Sequence, residues 1–237
     1  MIRIVLWLIS SLSPGLKWPY ISCRPDYNVS FTNMCSDKMI TYRDAIVSDM
    51  LVVAALHKEC FKGTFIAYWG ESLIARYYQQ YLEEGAPFVL AFDGDELIAF
   101  CMGYYDGSNA RNAFLGENRI RLAFRMVVLC MSLNKLVLKK CWHYVFGSSK
   151  KETEDRPKVS AEADLLSICV MSAYRGQGIS AELVKRFEGH LAGAGKKDVT
   201  LAVYKDNGRA IAFYHKMGYS IAGEDGDEYK MYKALQK

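Results

Sequence analysis

The sequence lacks a cysteine pair with the C-x-x-C spacing, and its seven cysteines are scattered along 237 residues. An odd, dispersed set of cysteines is not the framework of a disulfide-stabilised secreted domain or of a structural zinc site. Three of the histidines, His143, His190 and His215, also lack metal-ligand spacing. We therefore expect free thiols, a reducing cytoplasmic compartment and no metal.

A strong excess of either charge is also missing, because 30 Lys and Arg residues stand against 26 Asp and Glu residues. A net charge of +4 gives no general reason to expect a nucleic-acid partner. The composition is that of a folded globular protein that buries one sizeable core, because 51% of the residues are hydrophobic.

No hydrophobic run is long enough to span a bilayer, and the N-terminal stretch "MIRIVLWLISSLSPG" comes nearest. It resembles a weak signal peptide but is not followed by a clear A-x-A cleavage site. The alternatives are a surface anchor or packed arm, and a start that is over-extended upstream of Met34 or Met39. Residues 1–38 are accordingly predicted to be an extension, and residues 39–237 to be the folded domain.

Patterned sequence begins at Met39 and predicts a single α/β domain. "MITYRDA" reads as a strand, and "SDMLVVAALHKECF" as a helix capped by Ser48 or Asp49. "ESLIARYYQQYLEEG" follows helical spacing, and "PFVLAFDGDELIAFCMGYY" reads as a hairpin. "ADLLSICVM" is a continuous apolar run typical of a strand that is buried on both faces.

An insertion at about 107–160 interrupts this pattern and is predicted to be helical. Its segment 118–151 carries eight Lys or Arg residues and no acidic residue, together with apolar runs such as "MVVLCM". A basic amphipathic helix on an anionic membrane surface has this composition. A cap over a substrate site, a dimer contact and a buried insertion have it too, and the sequence leaves these alternatives open.

The stretch "VMSAYRGQGISAELV" at residues 170–184 reads as a strand, a turn and the start of a helix. Unpaired N–H groups at a helix N-terminus attract anions, and Gly176 and Gly178 leave the backbone accessible. The turn is therefore a candidate phosphate site, with a tight structural turn as the alternative. A dinucleotide-binding domain is disfavoured because only 56 residues follow Ala181, and no Gly-Lys-Ser/Thr follows for a Walker motif.

The C-terminal third resembles the GCN5-related N-acetyltransferase (GNAT) superfamily. The likeness is in the pattern Q/R-x-x-G-x-G/A followed by N-x-x-A-I-x-F-Y-x-x-x-G-F/Y, with one departure at Ser180. The residues in register are Arg175, Gly178, Asn207, Ala210, Ile211, Phe213, Tyr214, Gly218 and Tyr219. The resemblance implies the GNAT (acyl-CoA N-acyltransferase) fold, an α/β fold with a mixed, mostly antiparallel sheet flanked by helices.

What this resemblance implies is an acetyl-CoA-dependent N-acetyltransferase. Its pyrophosphate site would be the turn formed by Arg175, Gly176, Gln177, Gly178, Ile179 and Ser180, with Asn207 also at the cofactor. The pantetheine arm would pair with the strand edge at Ile168, Cys169 and Val170, where the N–H of Val170 would polarise the thioester carbonyl. Tyr214 stands at the family's position for the acid that protonates the leaving thiolate.

The general base and the acceptor are less defined. Ala202 stands where some members carry a glutamate, which leaves Glu162, Asp164 or His57 as candidates. A Phe-x-Gly-x-Phe link at residues 61–65 is similar to members associated with polysaccharide assembly, and it favours an amino sugar as the amine acceptor. A peptide or protein N-terminal amine and a non-catalytic CoA-binding adaptor are the alternatives. We expect a cytoplasmic protein, with peripheral contact at the inner membrane face or a homodimer through 118–151 as open options.

Overall fold

A computed structural model describes residues 39–62, 64–131 and 161–235. Within these ranges, seven strands form one sheet in the order β1-β2-β3-β4-β5-β7-β6. The strands are β1 (Ile40–Asp44), β2 (Phe88–Asp93), β3 (Glu96–Tyr105), β4 (Ala163–Val170), β5 (Asp198–Tyr204), β6 (Ser220–Asp225) and β7 (Glu228–Ala234). Each pairing in this sheet is antiparallel except that of β4 with β5.

Helices cover both faces of the sheet. They are α1 (Met50–Cys60), α2 (Glu71–Glu83), α3 (Ala110–Met131), α4 (Ile179–Gly193) and α5 (Gly208–Lys216), with 3-10 turns at Val47–Asp49, Ile66–Tyr68 and Ser172–Tyr174. This arrangement confirms the predicted mixed, mostly antiparallel α/β fold.

The core is divided into two clusters by the sheet. One cluster joins α1 and α2 to one face through side chains such as Val53, Ile74 and Phe100. The other joins α4 to the opposite face through side chains such as Leu183 and Phe187. Apolar residues at helical spacing account for both contacts, because each helix turns a single apolar stripe toward the sheet.

Gly103 in β3 allows α4 to pack directly against the sheet. A Cβ atom at this position would lie 2.3 Å from the carbonyl oxygen of Asp164 and 2.5 Å from the ring of Phe187. Any larger residue would therefore push β4 and α4 away from β3. The register of β3 against β4 also shifts between Met102 and Gly103, as is common where glycine interrupts a strand.

Two local expectations need correction. Asp49 stands at the N-cap position of α1, as predicted, but its side chain makes no capping hydrogen bond there. Its carboxylate instead accepts a hydrogen bond from the N–H of Ile46 at 2.8 Å and forms an ion pair with Arg43 at 2.7 Å. β4 is not buried on both faces throughout, because positions 166–168 are only half-buried.

The described part of the insertion is the helix α3, and the segment 132–160 lies outside the described residues. The predicted extension 1–38 lies outside them as well, so the domain boundaries remain a prediction. Among the helices of the described ranges, none is long and apolar enough to cross a membrane.

Candidate functional site

The sheet opens between β4 and β5. β4 pairs with β3 from Ala163 to Val170, but its parallel pairing with β5 is limited to Asp164 and Leu165. Beyond Leu165 the two strands diverge, and a cleft of about 680 Å³ extends along the carboxyl half of β4. The half-burial of this strand follows from that divergence.

The edge of β4 that faces the cleft presents unpaired backbone groups. The N–H of Met171 donates to the carbonyl of Ile98 in β3 at 2.9 Å. Because backbone groups alternate sides along a strand, the N–H groups of Val170 and Ile168 point the other way, into the cleft. The side chain of Arg175 reaches the same edge, where its Nε donates to the carbonyl of Val170 at 3.1 Å.

The glycine turn lies at the mouth of this cleft and leads into α4. Gly176 and Gly178 have φ values of 82° and 85°, a left-handed conformation that disfavours other residues. A Cβ atom at either position would meet nothing within 4 Å, so the backbone angle explains these glycines and a lack of space does not.

The first turn of α4 provides a group of free amide donors. The first intrahelical bond runs from the N–H of Glu182 to the carbonyl of Gly178, so the four N–H groups of residues 178–181 have no helical acceptor. Together with the helix dipole they favour an anion at this end of the cleft.

The predicted turn residues do not all face the cleft with their side chains. Arg175, Gly176, Gly178 and Ser180 line it. The Gln177 amide instead turns back to the carbonyl of Ala173 at 3.1 Å, and Ile179 is buried in the core.

Tyr214 reaches the cleft from α5. Asn207 caps this helix, since its side-chain oxygen accepts the N–H of Ala210 at 3.1 Å, and Asn207 itself also lines the cleft. The Tyr214 side chain is buried, and its ring meets that of Tyr219 edge-on at 5.7 Å. Burial raises the pKa of the Tyr214 phenol above its usual value, so the hydroxyl is protonated at neutral pH.

Several lining residues were missed by the sequence reading. Arg209 and Lys216 of α5 add positive charge to the cleft, and none of the ion pairs between described residues involves them or Arg175. The position of Arg209 and Lys216 on the same helix as Tyr214 was an available signal.

Cys60 and Phe61, at the end of α1, also line the cleft. The Cys60 thiol is a hydrogen-bond partner of the Cys169 thiol, and this contact together with the charge of Arg175 lowers the pKa of Cys60. No local pattern predicts this pair, because it joins α1 to a strand far along the chain.

The three predicted bases occupy different surroundings, and none lines the cleft. The Glu162 carboxylate accepts the backbone N–H of Lys197 at 2.8 Å, before β4 begins. Asp164 lies where β4 and β5 are still paired and accepts the Thr200 hydroxyl at 2.8 Å. Burial raises the pKa of Asp164, and four residues of strand, about 13 Å, separate it from Ile168.

His57 is buried under the sheet. Its Nδ1 lies 2.7 Å from the hydroxyl of Tyr78, which in turn lies 3.1 Å from the hydroxyl of Ser167 in β4. Burial lowers the pKa of His57 to about 4, so the imidazole is neutral at pH 7. His57 is therefore placed to orient a residue of β4, and it does not contact the cleft.

Within the three described ranges, no group of three or more His, Cys, Asp or Glu side chains is arranged to hold a metal ion.

Comparison with known proteins agrees with this geometry. Residues 142–219 match the model of the acetyltransferase (GNAT) family. A search of curated proteins by sequence finds no match. Among solved structures, the PaiA N-acetyltransferase of Thermoplasma acidophilum in complex with coenzyme A is similar, with a TM-score of 0.51 and 17% identity over 82% of this chain and 98% of that chain.

Two further solved structures show the same likeness. The ribosomal-protein-S18-alanine N-acetyltransferase of Escherichia coli has a TM-score of 0.51 and 16% identity, over 84% of this chain and 96% of that chain. YncA of Salmonella typhimurium, with its cofactor acetyl-CoA, has a TM-score of 0.50 and 13% identity, over 84% of this chain and 95% of that chain. The described chain therefore has the fold of the GNAT acetyltransferases.

Proposed function

We propose that the protein is an acetyl-CoA-dependent N-acetyltransferase that acts on a primary amine. The observation that carries the proposal is the divergence of β4 from β5 beside the free N-terminus of α4. The GNAT fold and the match of residues 142–219 to the family model support acyl transfer as the reaction class. Two similar structures contain coenzyme A or acetyl-CoA, which supports the cosubstrate.

Different parts of acetyl-CoA would occupy the two ends of the cleft. The amides at Gly178 to Ser180 would hold the pyrophosphate, with Arg209 and Lys216 compensating its charge. The pantetheine amides would pair with the open edge of β4 at Ile168 and Val170, much as a further strand would. This arrangement directs the thioester into the divergence between β4 and β5.

The chemistry then requires a hydrogen-bond donor to the thioester oxygen and an acid that protonates the leaving thiolate. The N–H of Val170 would donate to the thioester oxygen as it becomes negative during amine attack, which leaves the carbonyl groups of this edge and the N–H of Ile168 for the pantetheine amides. The C–S bond breaks as the tetrahedral intermediate collapses, and the Tyr214 hydroxyl gives its proton to the departing thiolate. The raised pKa of Tyr214 keeps that proton in place until the thiolate forms.

Asp164 fits the role of base better than Glu162 or His57. It sits where β4 and β5 are still paired, next to the point at which they diverge, and it would receive the amine proton through water. The Glu162 carboxylate is held by a backbone N–H, and protonating His57 would place a charge in the core.

For the acceptor we propose an amino sugar. The support is the Phe-x-Gly-x-Phe link similar to that of members associated with polysaccharide assembly, whose first residue, Phe61, lines the cleft. A cytoplasmic location is part of the proposal, since the seven cysteines are scattered along the chain without the spacing of a disulfide framework.

The test is a panel of amino sugars and peptides with free N-termini, incubated with acetyl-CoA while released thiol is measured. Tyr214→Phe should lower kcat by about 100-fold or more on the best acceptor, with little change in KM for acetyl-CoA. Tyr219→Phe is the matched control, because it removes a neighbouring buried hydroxyl outside the cleft and should leave kcat unchanged.

Two results would count against the proposal. Full kcat in Tyr214→Phe, with chemistry rate-limiting, would reduce Tyr214 to a packing residue. Acetyl-CoA binding without thiol release for any amine would favour the non-catalytic CoA-binding adaptor.

A further inference from the structure

The helix α3 carries an apolar stripe that faces away from the domain. Ile120, Phe124, Val127 and Met131 are 86%, 62%, 56% and 65% exposed. Their spacing of four, three and four residues places them on one face of the helix. Such a contiguous exposed apolar face marks an interaction surface more often than a single exposed residue does.

The opposite face of α3 is firmly packed. Phe114 is fully buried and its ring stacks on Trp69 at 5.5 Å, while Asn118 and Leu129 are also buried. Arg125 donates from its Nε to the carbonyl of Tyr68 at 2.9 Å. The helix is therefore held by its inner face, and the exposed stripe lies on the outer one.

Arginines border this stripe on both sides. At about 100° of rotation per residue, exposed Arg119 and Arg121 lie on opposite sides of Ile120. The nearest acid, Glu117, forms an ion pair with Arg76 at 2.9 Å. No acidic residue occurs between residues 118 and 151. Glu117, one turn before Ile120 on the same side of the helix, is paired with Arg76, so beyond it the border that α3 supplies carries only positive charge.

We propose that this face of α3 docks on an anionic lipid bilayer surface. The helix lies in the interface, with Ile120, Phe124, Val127 and Met131 below the headgroups. Arg119 and Arg121 extend to the lipid phosphates. None of the four stripe residues lines the cleft, and the proposed role of this surface goes beyond the proposed reaction.

Charge favours the bilayer over a second copy of the chain. Two α3 helices packed stripe to stripe would bring the arginines of both copies together, while the acid of this helix face, Glu117, is already paired with Arg76. Like charges at an interface are unfavourable. An anionic membrane matches both the apolar stripe and the arginines beside it, because it has an apolar interior beneath a layer of phosphate headgroups.

The test is co-sedimentation of the full chain with vesicles of phosphatidylcholine alone or mixed with phosphatidylglycerol, at low and high salt. We expect binding to the anionic vesicles that high salt weakens. Changing Arg119 and Arg121 together to Gln should reduce the affinity at low salt about 30-fold, the effect of two basic residues near the surface.

The apolar stripe needs its own variant, because basic residues elsewhere in 118–151 also attract anionic lipid. Ile120→Ser with Phe124→Ser should weaken vesicle binding about 10-fold or more. The matched control is Leu51→Ser with Val52→Ser on α1, which removes apolar side chains that are 59% and 52% exposed and should not change binding. Acetyl-CoA affinity, measured by calorimetry, reports that each variant is folded.

Each alternative occupant gives a result that overturns the proposal. Absence of binding to anionic vesicles at low salt would mean that the stripe is covered by other residues of the chain or has another partner. Equal vesicle binding by the stripe variant and its control would mean that only the basic residues contact the lipid and that the apolar stripe does not. A dimer in sedimentation velocity that the stripe variant dissociates would identify a second copy as the occupant.

Discussion

His57 makes the stability of the protein depend on pH in a defined window. Its side chain is 5% exposed, its Nδ1 meets the Tyr78 hydroxyl, and its Nε2 is buried without a hydrogen-bond partner among the described residues. Protonation would place a charge where water cannot solvate it, and this burial lowers the pKa from 6.5 to about 4.

The sign and the size of the effect follow from linkage. Between pH 4 and pH 6.5 the unfolded state binds a proton that the folded state does not, so stability rises with pH across this window. The contribution of His57 is complete above pH 6.5 and is lost as the pH falls toward 4. At about 1.4 kcal/mol per pKa unit, this lowering is worth about 3 kcal/mol of unfolding free energy.

Urea denaturation between pH 4.5 and pH 7.5 measures this contribution of His57 to the unfolding free energy. The difference in unfolding free energy between wild type and His57→Gln should change by about 2–3 kcal/mol across this range. Tyr78→Phe is the control, because it removes the hydrogen bond but keeps the buried imidazole, and it should retain the wild-type slope. The Asp49 carboxyl does not interfere, since Arg43 holds its pKa below the usual value. A His57→Gln variant with the same slope as wild type would refute the reasoning.

Three further predictions concern the cleft. Gly178→Asp should weaken acetyl-CoA binding by more than roughly 2 kcal/mol in calorimetry because a carboxylate would face the pyrophosphate, whereas Gly178→Asn, equal in shape but uncharged, should bind much more tightly than Gly178→Asp. Cys60 should be alkylated by iodoacetamide faster than Cys101, because burial raises the pKa of the Cys101 thiol. Acetyl-CoA should slow the labelling of Cys60, which lines the cleft. Equal rates of labelling with and without acetyl-CoA would show that Cys60 does not lie in the cofactor cleft. Asp164→Asn should lower kcat at least tenfold at neutral pH while Glu162→Gln retains it, and the reverse order would exchange their roles.

Local patterns predicted most of the elements because their periodicity is strong. The stripe of α4, with Ile179, Leu183 and Phe187, is buried as its spacing requires. The hairpin of β2 and β3 forms around Gly94, where a left-handed φ of 60° is needed. Asp49 occupies the predicted N-cap position of α1 but makes no capping hydrogen bond, because its carboxylate pairs with Arg43, a contact across a short loop that a helix-start rule does not include.

Contacts between distant segments were beyond such patterns. The apolar run of β4 predicted a strand buried on both faces, since nothing in its own sequence reveals that its parallel neighbour leaves it after Leu165. For the same reason the pairing of Cys60 with Cys169, and of His57 with Tyr78, had no sequence signal. The GNAT-like motif did predict that Tyr214 and the glycine turn belong to one site, and both line the cleft. This was possible because each half of the motif covers a single helix and its start.

The shape of the cleft limits the class of ligand beyond the presence of an anion site. Free donors occur in two places, along the edge of β4 at Ile168 and Val170 and at the start of α4 from Gly178. An isolated phosphate would engage only the second group, and an extended peptide only the first. A molecule that satisfies both must carry amide groups along a flexible arm and an anion at the far end of that arm. Pantetheine joined to a pyrophosphate has this order, so the unpaired backbone of the cleft favours a CoA thioester over a free nucleotide.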